Sequence, residues 1–299
     1  MAHGPAGPDG SRSAGLQLRE TAGRRSPPAI IPPVRTTGVF HTHTFRCQHA
    51  TGDVIDYARA AAVAGLAAFG ASDHCPLPDG RWGNVRMRLD ELPAYEAAVA
   101  LARREVPQLR VLLGMECDIG QQYFAWYRDT FLARGYDYLI ASIHFLDQDG
   151  VEVSAFGGCR GAAALRDWTS KCLAAIDSGM FAFLAHPDNI ACGDAAWTVE
   201  VAAAADAVCS AAAARKLPLE LNSLGLREQR GYPWRPFWER AAIHGCSVIL
   251  SSDAHRPGDT ARGLDEVAAL AAELGLRVVD LERGAPAPTG PRSSSSAQP

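Results

Sequence analysis

Residues 38–49 read GVFHTHTFRCQH. The apolar run at 38–42 has the length of a strand. It leads straight into histidines, without the glycine-rich turn that usually follows the first strand of a doubly wound nucleotide-binding sheet. The same grammar recurs down the chain. Short apolar runs at 38–42, 66–71, 110–115, 138–143, 180–185, 217–221 and 247–251 alternate with longer amphipathic segments at 54–64, 89–105, 122–133, 162–178, 199–215, 234–244 and 260–274. Seven strands and seven helices in strict alternation are the pattern of parallel β/α architecture. An open doubly wound sheet and a barrel share that pattern. Polar residues follow nearly every strand, however, and that is where a barrel gathers its site. The sequence therefore predicts a β/α barrel.

Composition is that of a folded chain. Of 299 residues, 47% are hydrophobic and 21% charged, which supplies a sizeable core and excludes a disordered polymer. No apolar run approaches the roughly 18–20 residues that span a bilayer. A net charge of −4 and a pI of about 6.1 argue against a dedicated nucleic-acid or membrane-surface binder. The eight cysteines (Cys47, Cys75, Cys117, Cys159, Cys172, Cys192, Cys209 and Cys246) form no CxxC pair and read as reduced thiols. Residues 1–37, rich in Gly, Pro, Ser and Arg, lack the apolar stretch of a signal peptide and read as a flexible leader. Residues 284–299, GAPAPTGPRSSSSAQP, read as a disordered low-complexity tail. The expectation is a cytoplasmic protein whose catalytic barrel occupies residues 38–283.

The histidines carry the chemistry. Of nine, His3 lies in the leader, and His244 in WERAAIHGC reads as a surface or helix-capping residue. His41, His43, His49, His74, His144, His186 and His255 all fall at or just after predicted strand ends. A lone histidine is usually structural, but that reading does not explain seven at equivalent places. In His41-Thr-His43 the two imidazoles share one strand face, and Asp253-Ala-His255 repeats the spacing after the last strand. Glu116, after LLGM, ends a strand in the same way; taken alone it would pass for a solvated loop carboxylate. Imidazole nitrogens with carboxylate oxygens suit Zn²⁺, Mn²⁺ or Fe²⁺. Seven histidines with Glu116 and Asp253 exceed the capacity of one ion, and a carboxylate can bridge two, so the set divides among two or three metals. Cys47, Cys75 and Cys117 neighbour these candidates, but adjacent strand residues point to opposite faces, so core packing is their expected role.

With these residues in view, the chain resembles the PHP (polymerase and histidinol phosphatase) metallophosphoesterases. HTHTFRCQH, SDHCPLP, GMECDI, ASIHFL, LAHPDNI, LELNSLGLR and SSDAHRPGDT occur in that family's order and cover about residues 38–275. IHFL, NSLGLR and SDAHRPGD are most similar to the histidinol-phosphate phosphatase branch. The resemblance implies an α/β fold, a distorted seven-stranded (β/α)7 barrel of the PHP type. It also implies that His41, His43, Glu116 and Asp253 hold a first metal, and that Glu116 bridges to a second held by His144 and His186. His49, His74 and His255 would hold a third. Arg227 matches a substrate-phosphate arginine of that branch. A second arginine expected before the fifth strand is missing, with Ser170 and Lys171 at about that place and Arg160 and Arg166 nearby. A lysine point charge is not equivalent to a bidentate guanidinium for phosphate.

The implied reaction is metal-dependent hydrolysis of a small phosphate monoester: L-histidinol phosphate, or a similar amino-alcohol, sugar or nucleoside phosphate. Two or three divalent ions (Zn, Mn or Fe) would serve as cofactors, with Glu116, Asp253 and Arg227 as catalytic residues. No nucleic-acid or membrane partner is expected. Three other readings stay open. Amidohydrolases also open with HxH on a barrel strand, but many use a bridging lysine, and neither Lys171 nor Lys216 ends a strand. A PHP-type phosphodiesterase or nuclease would need a basic groove with stacking aromatics. A non-catalytic, metal-stabilised binding module would normally have lost ligands.

Overall fold

A computed structural model describes residues 36–157, 161–191 and 196–281; the expected leader up to residue 35, Cys159, Arg160, Cys192 and the expected tail lie outside the described residues. Along the chain run β1 (Gly38–Val39), α1 (Val54–Val63), β2 (Ala68–Ala71), α2 (Leu92–Glu105), β3 (Arg110–Asp118), α3 (Phe124–Tyr127) and β4 (Tyr138–Ser142). There follow β5 (Phe145–Gln148), β6 (Val151–Ser154), α4 (Gly161–Ser178), β7 (Phe183–Leu184), α5 (Val199–Arg215), β8 (Leu219–Asn222), α6 (Leu224–Arg227), α7 (Arg235–Ile243), β9 (Ser247–Ser251), α8 (Leu264–Glu273) and β10 (Arg277–Val278).

Local chemistry accounts for these boundaries. Helix α1 starts at Asp53, whose carboxylate accepts from Val54 N, while Asp56 closes a capping box on the Asp53 N–H. Its buried residues Val54, Tyr57, Ala58 and Ala61 keep the i, i+3, i+4, i+7 spacing of an amphipathic helix. Helix α5 starts at Thr198, which accepts from Val201 N, and ends at Lys216 in the left-handed region with φ 56°. Strands β2, β4 and β9 are buried throughout, which is why each reads as a nearly continuous apolar run.

The main sheet is parallel, has eight strands in the order β1-β2-β3-β4-β7-β8-β9-β10, and is open and curled. The expected closed seven-stranded (β/α)7 barrel is corrected on this point. The outer edge of β9 pairs with β10, not with β1, so no ladder closes the ring. The two ends of the curl meet at an isolated parallel bridge, Thr42 to Ala254, and through Asp280, which accepts from Thr36 Oγ1 and Thr37 N. Two residues are too few for β10 to show any periodicity in the sequence. The antiparallel hairpin β5–β6 was also missed. Its turn is Asp149-Gly150, both with positive φ (55° and 83°), the geometry of a two-residue hairpin loop. Flanked by FLDQ and VEVS, that Asp-Gly pair was a legible signal.

Alternate strand residues feed two cores. Leu139 and Ala141 of β4 join a large cluster shared with helix residues such as Tyr57, Val99 and Trp238. Tyr138 and Ile140 instead join Phe40, Phe183, Ala185 and Ile249 in a second cluster that contains no helix residue. This second group fills the concave side of the curl. Tyr138 donates to Phe40 O at 2.7 Å and lies against Gly70 and Gly114, where any Cβ would collide with its ring. The sheet is thereby plugged from within, and its polar residues emerge at the carboxyl ends of the strands.

Candidate metal centre

All nine candidate ligands converge at those carboxyl ends, around one carboxylate. Glu116, in β3 and fully buried, places Oε1 at 3.1 Å from His41 Nε2, 3.1 Å from His144 Nε2 and 3.4 Å from His186 Nε2. Its Oε2 lies 2.7 Å from His74 Nδ1 and 3.6 Å from His43 Nε2. Asp253 Oδ1 lies 3.0 Å from His43 Nε2 and 3.6 Å from both His41 Nε2 and His255 Nδ1. His49 Nε2 and His255 Nε2 face each other at 3.1 Å, and His43 stacks between His74 and His255 with ring centroids 4.2 and 4.3 Å away. His41, His43 and Glu116 offer ligand atoms within 4.8 Å of one another, as do His43, His74 and His255, and His41, His186 and Asp253.

A ring of buried groups behind these residues sets which nitrogen carries each proton. Glu220, absent from the sequence reading, accepts from His41 Nδ1 at 2.7 Å, from His186 N at 2.8 Å and from Asn222 Nδ2 at 3.0 Å. Asp118 accepts from His144 Nδ1 at 3.1 Å and is paired with the Arg86 guanidinium. His49 Nδ1 faces the Cys47 carbonyl at 2.7 Å and His255 Nδ1 the Asp253 carbonyl at 3.1 Å. A carbonyl or carboxylate can only accept, so each of these Nδ1 atoms carries a hydrogen, and Nε2 is left as the nitrogen that would ligate an ion. The Nε2 atoms of His41 and His144 therefore face a carboxylate oxygen, and those of His49 and His255 face each other. Among the described residues, His41 Nε2, both ring nitrogens of His43, His74 Nδ1, Glu116 Oε2 and Asp253 Oδ1 are buried without a hydrogen bond of good geometry. Imidazole nitrogens and carboxylate oxygens that converge this closely, several of them without a hydrogen bond, fit divalent cations, and the mixture is the one that first-row ions favour.

The electrostatics agree. Burial opposes charge on Glu116 and Asp253, yet the surrounding histidines, His41 first in both cases, hold both carboxyls well below the usual range. Burial likewise opposes charge on His43 and His144, but Asp253 and Asp73 lift His43 to about 9, and Asp118 with Glu116 lifts His144 to about 10. His255 is pushed down to about 3 by burial and then by His43, and burial also lowers His49 and His74. One side of the site thus holds carboxylates, and the other holds neutral imidazoles.

Two candidate ligands sit on strained backbone. His186 has φ 27° and Asp253 φ 47°, a region that non-glycine residues rarely enter. Glu220 holds the first by accepting from its N–H, and Arg227 holds the second by donating from Nη2 to the carbonyls of Ser252 (2.7 Å) and Asp253 (3.4 Å). At the front of the site, Arg46 grips Asp53 through both Nη atoms and ties the histidine loop to the start of α1.

A cavity of about 480 Å³ opens in front of Glu116, His144, His186, Asp253 and His255. Arg227 lines it, as expected, along with Arg86, Arg230, Arg256 and Arg262, which the sequence reading did not single out. Lys171 is not among the lining residues: its ammonium lies 2.8 Å from the Phe145 carbonyl and 2.7 Å from Asp167. Ser170 and Arg166 are exposed on α4 and do not line the cavity either. Cys75 and Cys117 are core residues, as expected. Cys47 differs. It lies in the short helical turn Phe45–Cys47, where strand alternation does not apply, and its sulfur lies within 4.8 Å of candidate atoms of His49 and His255. Burial, then the Asp73 and Glu116 carboxylates, push its thiol far up, so it packs there as a neutral group.

Residues 40–224 match the PHP domain family. A protein of Deinococcus radiodurans named "Probable histidinol-phosphatase" is 31% identical over 233 residues, 73% of this chain and 86% of the relative. Among solved structures, a candidate histidinol phosphatase from Listeria monocytogenes superposes with a TM-score of 0.66 at 20% identity, covering 77% of this chain and 99% of that one. A histidinol phosphate phosphatase from Lactococcus lactis, solved with zinc, L-histidinol and phosphate, superposes with a TM-score of 0.64 at 16% identity, covering 81% and 95%. Both likenesses concern the fold. No helix among the described residues is long and apolar enough to cross a membrane.

Proposed function

The chain belongs to the PHP-domain family and is related to its histidinol-phosphatase branch, and from that premise we propose that it hydrolyses a small phosphate monoester. The substrate class is L-histidinol phosphate or a similar amino-alcohol, sugar or nucleoside phosphate. His41, His43, Glu116 and Asp253 hold a first ion; Glu116, His144 and His186 a second; His49, His74 and His255 a third. The observation that carries this reading is the convergence of five imidazoles on the buried Glu116 carboxylate, whose Oε2, like His41 Nε2 and both His43 nitrogens, has no hydrogen bond among the described residues.

When bound, the ions supply Lewis acidity, acidifying water toward neutral pH and neutralising charge on phosphoryl oxygens. The chain's own residues do the rest. Glu220 and Asp118 each hold a proton on Nδ1 of His41 and His144, so Nε2 is the nitrogen that would ligate an ion, giving up any proton it carries. Arg227 fixes the Ser252–Asp253 carbonyls and presents positive charge at the cavity wall, where a phosphate would enter. Phe156, over whose ring the Arg230 guanidinium lies at 5.3 Å, gives the leaving group an apolar face and excludes water beside His144 and His186.

The test is phosphate release by the metal-reconstituted chain from a panel of histidinol phosphate, sugar phosphates and nucleoside monophosphates, with a phosphodiester and single-stranded RNA as controls. Release from one or more monoesters, lost on chelation, is expected. Turnover confined to the diester or RNA would replace the monoesterase reading with a diesterase one. Tight metal binding with no turnover of any substrate would favour a binding module.

A further inference from the structure

Arg86 is an anomaly among the arginines of the cavity. It lies in the segment 76–88, PLPDGRWGNVRMR, twelve residues past His74 and outside the quoted motifs, yet it is one of the largest fully buried side chains among the described residues, at 2% exposure. Its Nη2 is paired with the Asp118 carboxylate, and its Nη1 reaches the Cys75 carbonyl at 3.4 Å. Asp118, itself 4% exposed, uses Oδ1 to accept from His144 Nδ1 at 3.1 Å, and His144 Nε2 then lies 3.1 Å from Glu116 Oε1. The order guanidinium, carboxylate, imidazole, shared carboxylate is thus unbroken from Arg86 to Glu116.

The segment that carries Arg86 is fastened on three sides. Gln48, next to His49, donates from Nε2 to the Gly83 and Arg86 carbonyls at 2.5 and 2.8 Å. Trp82 stacks on Phe145, next to His144, with ring centroids 3.7 Å apart and planes 7° from parallel. The Trp82 indole N–H donates to Glu152 on β6 at 2.8 Å, and the Arg86 guanidinium lies 5.0 Å over the Trp82 ring. The Arg86 side chain is therefore held by its surroundings as firmly as it holds Asp118.

We propose that Arg86 is a positioning residue for the second ion: it pins Asp118, which sets the ring angle and tautomer of His144. The inference rests on reading Glu116, His144 and His186 as ligands. The physical argument is geometric. A carboxylate has two oxygens, and only when Arg86 takes Oδ2 is Oδ1 left facing the imidazole. Without the guanidinium, a buried carboxylate loses its charge partner and must turn toward another donor or admit water, and the ring turns with it. A carboxylate or similar partner behind a ligating histidine typically accounts for about 10–100-fold in metal affinity. The effect should be local, because the first and third positions take their second partners from Glu220 and from the Cys47 and Asp253 carbonyls.

The experiment uses the full chain, stripped with a chelator and titrated with Mn²⁺ alone, as wild type, Arg86→Ala, Arg86→Lys, Asp118→Asn and the Arg86→Ala/Asp118→Asn double variant. Melting temperature and far-ultraviolet circular dichroism are followed in parallel. In Arg86→Ala one class of Mn²⁺ should bind about 10–100-fold more weakly while the remaining ions bind as in wild type. The paramagnetic resonance signal of neighbouring Mn²⁺ ions should give way to that of isolated ones. Arg86→Lys, which keeps the charge but not the fork, should lie between. Asp118→Asn keeps the side-chain volume and the acceptor toward His144 and tests the same link if Arg86→Ala folds poorly. The double variant should bind no worse than Arg86→Ala, since both changes break one chain of contacts. Unchanged Mn²⁺ binding in a folded Arg86→Ala or Asp118→Asn overturns the proposal, as does weakening of every ion in proportion to a lowered melting temperature. A wild-type chain that binds no Mn²⁺ overturns the ligand reading as well, which distinguishes the two failures.

Discussion

Glu220→Gln is the substitution for which the structure gives the clearest magnitude. Glu220 is fully buried and accepts three hydrogen bonds: one from His41 on Oε1, and those from the His186 N–H and the Asn222 amide on Oε2. Glutamine has the same shape but only one acceptor oxygen. Keeping that oxygen on the side with two donors preserves the hold on His186, whose φ of 27° needs it. The new NH₂ then faces His41 Nδ1. The ring can avoid a clash of donors only by giving up the Nδ1 proton and keeping one on Nε2, the atom that points at Glu116 Oε1. A proton there blocks the lone pair that would bind the first ion. The penalty is the loss of one charge-assisted hydrogen bond, about 1.5–3 kcal/mol. It agrees with the roughly 10–100-fold, or about 1.4–2.8 kcal/mol, typical of carboxylates behind metal-binding histidines. The assay is a competition titration of the variant against a chelator of known affinity, with thermal unfolding of the metal-free protein alongside. At about 2–4 °C per kcal/mol for a chain of this size, a loss near 2 kcal/mol lowers the metal-free melting point by roughly 4–8 °C. A folded Glu220→Gln with wild-type metal affinity would refute the tautomer argument.

Four further outcomes follow from the same geometry. Glu116→Ala should lower bound metal and turnover together, because it removes the carboxylate that five imidazoles approach; elemental analysis of the purified variant checks this, and full metal content with lost turnover would contradict it. Arg227→Ala should reduce kcat/KM by about 10²–10³-fold, the scale of losing one charge-stabilising donor. Arg227→Lys, which cannot join the Ser223 hydroxyl and Arg262 carbonyl on one nitrogen to the Ser252 and Asp253 carbonyls on another, should recover little if positioning dominates and much if charge does. Lys171→Ala should leave kinetics unchanged and cost under about 1 kcal/mol of stability, since its partners are Asp167 and the Phe145 carbonyl; a raised KM would return Lys171 to the site. For pH, His43 and His144 are raised to about 9 and about 10, above the ordinary imidazole value. Raised histidines stabilise the metal-free fold below about pH 6.5, and that stability is lost as pH rises through 9–10. The metal-free melting point should therefore fall from pH 7 to pH 10, while Mn²⁺ affinity, which must displace the same protons, should rise. A metal-free melting point that climbs over that interval would show the imidazoles are already neutral.

Much of the fold was legible because its signals are local. Helix α5 was expected at 199–215 and is found at Val199–Arg215, since its cap and its length are properties of the segment itself. The seven expected strand positions each contain a strand, although β1 and β7 shrink to two residues once only hydrogen-bonded pairs are counted. Strand β10 escaped notice because Arg277–Val278 becomes a strand only by pairing with Ser247 and Val248, about thirty residues away. That pairing is also what leaves the sheet open.

For the site, the sequence by itself determined which candidate ligands come together. Seven histidines, Glu116 and Asp253 recur at strand ends, and parallel strands deliver their carboxyl ends to one place, so the convergence was implicit in the order of the motifs. Tertiary structure alone decided what stands behind each donor. Glu220, Asp118 and Arg86 look like ordinary charged residues in LELN, GMECD and NVRMR, and nothing in those segments says which histidine each will face. The same holds for Arg227, whose Nη2 closes on carbonyls some twenty-five residues away, and for Lys171, which the fold turns to Asp167 and the Phe145 carbonyl. The reason is physical. Ligand atoms are set by residue type and by the two-residue repeat of a strand. The tautomer and ring angle of a buried histidine depend instead on a partner a few ångströms away in space, and chain separation does not encode that distance.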